Sequence, residues 1–137
     1  MDILAKIQRF CSYQERSTQE VRTKLYAFST SKSEIEKIIA QLQDEGFINE
    51  ERYATSFVRG KLRINKWGKI KISQALKQKD ITSNIIKAAL ESIDENEYVE
   101  TLRSFLYKQK SRYPDKQKLV NLALSHGFEY NLIEKFI

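Results

Sequence analysis

Apolar residues recur at steps of three and four along nearly the whole chain. That spacing places them on one face of an α-helix, whereas a half-buried strand needs strict alternation. No run of alternating β-branched residues is long enough to form a sheet. The sequence therefore predicts an all-α protein.

Signals for helix ends accompany this periodicity. Three segments have the spacing of a capping box, in which Ser or Asp precedes Glu by three residues. A glycine followed by an apolar residue is typical of a helix C-cap. The predicted starts are Ser17–Glu20, Ser31–Glu34, Asp94–Glu97, Asn49 and, in the first turn of a helix, Pro114; the predicted stops are Gly46–Phe47 and Gly127–Phe128.

The helices repeat along the chain. When Leu25, Leu76 and Leu124 are set in register, each has a longer amphipathic helix before it and a short turn with an apolar helix after it. Units of this length are typical of helical arrays, in which each unit stacks on its neighbours. We therefore expect three tandem three-helix repeats in an elongated, curved array, with units at 1–48, 49–93 and 94–137.

The apolar stripes predict the core. In the first helix of the middle unit, Phe57 and Ile64 fall on the side that also carries Tyr53, and this side is expected to be buried. Further core positions are expected at Leu76, Ile86 and Leu124 in the helices that follow.

The net charge of +6 lies in one part of the chain. Residues 1–48 and residues 94–137 each carry seven basic and seven acidic side chains, whereas residues 49–93 carry ten basic and four acidic ones. A positive region of this kind is typical of proteins that bind a polyanion.

The segment from 57 to 79 contains eight Lys or Arg residues, one Trp and no acidic residue. Like charges on one helix repel each other, so a partner outside the segment is expected to neutralise them. Helical spacing brings two basic stripes together at the corner 65–68, where Lys and Arg can meet phosphates. The candidate binding residues are Arg52, Arg59, Lys61, Arg63, Lys66, Trp67, Lys69, Lys71, Lys77 and Lys79.

Two interpretations of Trp67 stay open at this point. Its ring can stack on an unpaired base, or it can be a packed structural residue at the start of a helix. The basic face can likewise be a solvated surface without a partner.

Catalytic and metal-binding patterns are missing from the sequence. One His and one Cys cannot form a metal cluster or a hydrolytic triad, and there is no glycine-rich phosphate loop. We therefore expect a protein that is not an enzyme and has no cofactor. The single Cys11 fits a reducing, cytosolic setting, and no apolar run approaches the roughly 18 residues of a membrane span.

Three segments of the chain resemble the RecX family of bacterial recombination regulators. They are RSTQEVRTKL (16–25), LQDEGFINEERYATSFVRGKL (42–62) and WGKIKISQALKQKDI (67–81). The most specific part is the run from Gly46 to Ala54, with Phe-Val-Arg and Trp-Gly after it. The chain departs from the family pattern at Ala75, where an acid is expected, and at Asp80, where Gly is usual.

The resemblance implies three tandem three-helix repeats and a non-enzymatic role that depends on a partner protein. That partner is the RecA recombinase, assembled as a filament on single-stranded DNA, whose growth and strand exchange RecX-like proteins restrain in recombination, DNA repair and the SOS response. It also implies contact with DNA, directly or through the filament. Separately, we expect a monomeric cytoplasmic protein. Two alternatives stay open: a helical nucleic-acid-binding protein with no recombinase partner, and a scaffold for an unrelated acidic protein.

Overall fold

The structure, a computed structural model, describes residues 2–28 and 30–137. In these residues there is no strand, and the prediction of an all-α fold is confirmed. The described helices are α1 (Ile3–Tyr13), α2 (Thr18–Ala27), α3 (Lys32–Asp44), α4 (Glu50–Arg63), α5 (Lys69–Gln78), α6 (Ser83–Glu91), α7 (Glu95–Gln109), α8 (Lys116–Ser125) and α9 (Tyr130–Ile133), followed by a 3₁₀ turn (Glu134–Phe136).

The predicted helix starts are largely present. Ser17 and Glu20 form a complete capping box at α2, in which each side chain accepts from the backbone N–H of the other residue. Asn49 and Asp94 cap α4 and α7. The prediction for Pro114 is wrong: it lies outside the helix, directly before the N-cap Asp115 of α8, whose side chain satisfies the first free N–H groups.

Several helices are followed by a residue in the left-handed backbone conformation. Gly46 (φ 79°) follows α3 and Gly127 (φ 91°) follows α8, as predicted. Asp80 takes the same role after α5 with φ 61°, a conformation that an Asp side chain tolerates better than most. Its carboxylate accepts a hydrogen bond from Gln19 Nε2 at 3.1 Å. The Asp that replaces the usual Gly of the family pattern thus makes a contact with α2.

The repeat register is correct for two units and wrong by one residue in the third. The Leu76 carbonyl accepts from the N–H groups three and five residues later, at 3.1 and 3.2 Å, and the Ala123 carbonyl does the same at 3.2 Å for both. Ala123 is fully buried, whereas Leu124 is 41% exposed. The counterpart of Leu25 and Leu76 is therefore Ala123, and Leu124 is not a core residue.

Two further core predictions need correction in α4. Ile64 is 81% exposed and Phe57 is only half-buried, while Val58 and Leu62 are buried. The buried stripe of α4 advances in steps of four from Ala54, so a residue two positions beyond Leu62 points to the opposite side. Leu76 and Ile86 are buried as predicted.

The buried residues form two separate cores. The core of α1–α3 is built around Ile7, Leu25 and Leu42. A second, larger core runs without interruption from Tyr53 in α4 to Ile133 in α9. The middle and third units thus share one core, while the first unit has its own; the proposed boundaries at 48/49 and 93/94 fall between α3 and α4 and between α6 and α7 and stay predictions.

Candidate functional site

The candidate residues lie along α4, the corner that follows it, and α5. Arg52, Arg59, Lys61 and Arg63 belong to α4, Lys66 and Trp67 to the corner, Lys69, Lys71 and Lys77 to α5, and Lys79 caps the end of α5. Arg52, Arg59 and Arg63 lie seven and four residues apart, so they share the solvent side of α4, while its buried apolar residues face the core.

Two of these cations bind the first unit. Arg52 Nε donates to Glu15 Oε2 at 2.6 Å, and its Nη2 donates to the Gly46 carbonyl at 2.9 Å. Lys79 Nζ lies 3.7 Å from Glu20 Oε2, a carboxylate that also completes the capping box of α2. The join between the first and middle units is therefore partly ionic.

Two more cations bind the third unit. Arg63 makes a two-point contact with Glu97, at 2.6 and 3.3 Å, and this hydrogen bonding lowers the pKa of the Glu97 carboxyl. Lys69 Nζ lies 3.1 Å from Glu95 Oε2 and 4.5 Å from the centre of the Tyr98 ring. Carboxylates of both flanking units thus neutralise part of the basic segment from within the chain.

Five candidate cations form no ion pair with any carboxylate in the described part of the chain. Arg59, Lys66 and Lys77 are exposed, and Lys61 and Lys71 are half-exposed. The Lys66 ammonium bonds only to a carbonyl of its own turn, Arg63 O, at 2.6 Å. We call this set the free basic face: Arg59, Lys61, Lys66, Lys71 and Lys77.

Trp67 is half-buried and packs against the shared core of the middle and third units. The ammonium groups of Lys61 and Lys71 lie 4.8 and 4.5 Å from the centre of its ring, within the range of cation–π attraction. Lys61 also approaches Phe57, at 5.4 Å. The Trp ring therefore contributes to packing and, at the same time, positions two lysines of the free basic face.

A cleft of about 550 Å³ runs between the first and middle units beside this ring. Its middle-unit wall carries Phe57, Lys61 and Trp67, and its first-unit wall carries Glu15 and Glu20. Half-buried aromatic rings and an unpaired lysine are thus open to solvent next to the free basic face.

The first backbone N–H groups of α5 are bound by the third unit. Gly68 N donates to His126 O at 2.7 Å, Lys69 N to the Tyr98 hydroxyl at 2.9 Å, and Ile70 N to Gly127 O at 3.1 Å. A helix N-terminus with free N–H groups attracts phosphate, but the first N–H groups of α5 already donate to oxygen atoms of the third unit. A phosphate at this corner would therefore have to be bound by side chains.

Sequence reasoning missed how the corner is held. His126 Nδ1 lies 2.9 Å from the Lys66 carbonyl, and its ring packs on Phe105 with centres 4.6 Å apart. Lys66 itself adopts a left-handed conformation, with φ 56°. The Trp-Gly pair was a visible signal at this corner, but its partners are about 60 residues further along the chain.

Residues 2–28 and 30–137 contain no group of three His, Cys, Asp or Glu side chains placed to hold a metal ion. In the same residues, no helix has both the length and the apolar character needed to cross a membrane.

Comparison with known proteins yields one consistent family. Residues 49–90 match the family model described as RecX, second three-helix domain. The regulatory protein RecX of Halalkalibacterium halodurans is 30% identical over 132 residues, covering 92% of this chain and 50% of that protein. The regulatory protein RecX of Streptococcus uberis is 31% identical over 132 residues, covering 91% and 50%. The chain spans about half the length of the curated relatives it matches.

Solved structures agree with the sequence comparison. A crystal structure of RecX from Lactobacillus salivarius superimposes with a TM-score of 0.84 at 29% identity, covering 97% of this chain and 90% of that one. A second crystal structure, of regulatory protein RecX, gives a TM-score of 0.85 at 26% identity, covering 97% and 70%. The family model spans α4 to α6, which carry the free basic face, and the structural match extends over all three units. On these grounds, the chain belongs to the RecX family.

Proposed function

We propose that this chain is a regulatory protein that binds the RecA recombinase filament on single-stranded DNA and restrains its growth and activity. It acts in the cytoplasm as a monomer, without chemistry of its own and without a cofactor. The observation that carries the proposal is the free basic face: within the described residues its five cations form no ion pair, whereas four other candidate cations are paired with carboxylates of the flanking units.

Electrostatics support this assignment. A cluster of unpaired cations raises the free energy of the isolated protein through mutual repulsion, and this cost is relieved when phosphates or carboxylates approach. A filament on DNA offers both kinds of anion, from nucleic acid and from acidic side chains. Family membership supports the RecA recombinase as the partner.

The experiment measures ATP hydrolysis by the cognate recombinase on single-stranded DNA as the protein is added. We expect the wild-type protein to slow hydrolysis and the double variant Arg59→Glu with Lys77→Glu to lose most of this effect. The matched control is Lys37→Glu with Lys87→Glu, which makes the same change in net charge at exposed lysines outside the candidate site. The control is expected to inhibit like the wild-type protein.

Two results would contradict the proposal. If the Arg59/Lys77 variant inhibits as well as the control, the free basic face is not the site. If the protein leaves the recombinase unaffected but binds bare DNA tightly at physiological salt, it is a helical nucleic-acid-binding protein without a recombinase partner.

A further inference from the structure

The third unit is electrically neutral as a whole, but its charges are segregated. Residues 101–128 carry six basic side chains and one acidic one, Asp115. Asp115 caps α8, and Glu95 and Glu97 bind cations of the middle unit. Glu129 accepts a hydrogen bond from the buried Tyr98 hydroxyl. Several of the carboxylates that make the third unit neutral are therefore bound to other groups. A basic surface remains on α7 and α8.

A pocket of about 440 Å³ opens on this surface, between the end of α7 and the start of α8. Leu106 and Leu119 form part of its lining and are 3% and 6% exposed, so they belong to the core and give the pocket a firm base. Tyr113 and Phe136 also line it. Its interior is therefore mainly apolar.

The rim of the pocket is cationic. Arg103, Lys110 and Lys116 line it, and no Asp or Glu among the described residues does. Arg103 lies over the Phe136 ring at 4.9 Å and 3.7 Å from Glu100, an exposed neighbour on the same helix. Within the described residues, Lys110 and Lys116 form no ion pair.

We infer that this pocket docks an acidic segment of a partner protein that inserts one large apolar side chain. Pockets that bind through an apolar anchor with a ring of charge around it derive affinity from the anchor and selectivity from the charges. The concave floor of core leucines suits a side chain that enters end-on. Stacking of nucleobases along a strand uses exposed aromatic faces instead.

Tyr107 fits this use of the surface. It is 81% exposed at the edge of the pocket, between Arg103 of α7 and Lys110, the C-cap of that helix. Tyr is enriched in protein interfaces because it combines apolar area with a hydroxyl group. This surface is distinct from the free basic face, so the inference stands independently of the proposed function.

The test uses three synthetic probes: a short peptide of Asp and Glu with one central Phe, the same peptide with Ala in place of Phe, and oligo(dT). Fluorescence anisotropy measures the affinity of each for the whole protein. We expect the Phe peptide to bind roughly tenfold or more tightly than the Ala peptide, because burial of a Phe side chain is worth at least that factor. This comparison needs no change in the protein.

Charge reversal then locates the site. Lys110→Glu with Lys116→Glu should weaken binding of the Phe peptide by about tenfold or more. Lys108→Glu with Lys118→Glu makes the same charge change on exposed residues of the same two helices outside the pocket and should have a much smaller effect. All four positions are exposed, and thermal melting checks that both variants stay folded.

The inference is overturned if the Phe and Ala peptides bind equally, or if the two double variants weaken Phe-peptide binding to the same extent. It is also overturned if Lys110→Glu with Lys116→Glu weakens oligo(dT) binding alone, because the pocket is then a nucleic-acid site. A selective loss of the Phe peptide supports it.

Discussion

Gly68 and Gly127 pack backbone against backbone where the middle unit meets the third. A methyl group added at Gly68 would lie 2.4 Å from the carbonyl carbon and oxygen of Gly127. The neighbouring N–H groups of α5 bind the carbonyls of this same turn. The C-terminal turn of one helix in the third unit thus serves as the N-terminal cap of a helix in the middle unit.

Gly68→Ala is therefore expected to destabilise the fold by about 3 kcal/mol, the upper end of the usual range for overpacking, because the obstructing atoms are backbone. Urea unfolding measures the change. The control is Gly60→Ala in α4, where nothing lies within 4 Å of the added carbon. There the expected change is a gain of about 0.5–1 kcal/mol. Equal effects of the two substitutions would contradict the close packing.

Leu76→Ala and Leu124→Ala test the corrected register. Leu76 is fully buried, so its truncation should cost about 2–5 kcal/mol through lost burial and a cavity. Leu124 is 41% exposed, and its truncation should cost less than about 1 kcal/mol. Thermal and urea unfolding of both variants measure the difference. A large loss of stability in Leu124→Ala would support the register that aligns Leu124 with Leu25 and Leu76.

Tyr98→Phe tests the buried hydroxyl that accepts from Lys69 N and donates to Glu129. Its removal leaves both groups without a partner and should cost about 1–3 kcal/mol at neutral pH. Burial raises the pKa of the Tyr98 phenol above its ordinary value.

The sign of the pH effect at Tyr98 follows from this raised pKa. In the unfolded chain the phenol loses its proton near pH 10, whereas in the folded protein it stays protonated at that pH. The contribution of the Tyr98 hydroxyl to the free energy of unfolding is therefore complete below about pH 10 and is lost progressively above it. The stability gap between wild type and Tyr98→Phe should therefore narrow as pH rises above about 10. Urea unfolding at neutral pH and at about pH 11 checks this; a constant gap would mean that the hydroxyl is not held neutral.

Lys66 allows stability and binding to be separated at one position. Its left-handed conformation (φ 56°) is strained for Lys and relaxed for Gly. We expect Lys66→Gly to raise the free energy of unfolding by about 1 kcal/mol and Lys66→Ala to leave it nearly unchanged. Both should weaken DNA binding equally, as measured by anisotropy. Unequal binding would show that backbone geometry at Lys66, rather than its charge, matters.

The salt dependence of binding to single-stranded DNA counts the phosphate contacts. Five contacts from the free basic face correspond to a slope of log affinity against log salt of roughly −3.5. Arg59→Glu with Lys77→Glu should flatten the slope by about 1.4 or more, and Lys37→Glu with Lys87→Glu should not. A slope near zero for the wild-type protein would mean that the face does not meet phosphates.

Local signals in the sequence predicted local structure well. Ser17, Asn49 and Gly127 mark helix ends through contacts with residues a few positions away, so their spacing alone was sufficient. The third-unit register failed because Leu is a more common core residue than Ala, although here Ala123 is fully buried and Leu124 is exposed.

Long-range contacts were not predictable in the same way. Arg63 and Glu97 are 34 residues apart, and Arg52 and Glu15 are 37 apart, so nothing in the local pattern links them. A charge count over the whole third unit hid the cationic pocket, because most of the opposing carboxylates lie near the unit's ends, and Glu95 and Glu97 pair with cations of the middle unit. The position of the basic segment was predictable; which of its cations are available was not.

The ion pairs at the two joins make the available charge of the middle unit adjustable from outside it. Four carboxylates each pair with one cation of the middle unit, which is then not free to bind another anion; they are Glu15, Glu20, Glu95 and Glu97. Loss of one such carboxylate would release one cation, equivalent to roughly 0.7 in the salt slope on single-stranded DNA. Under the proposed function, affinity for a polyanion can therefore drift through substitutions in the first and third repeats, while every residue of the free basic face stays the same.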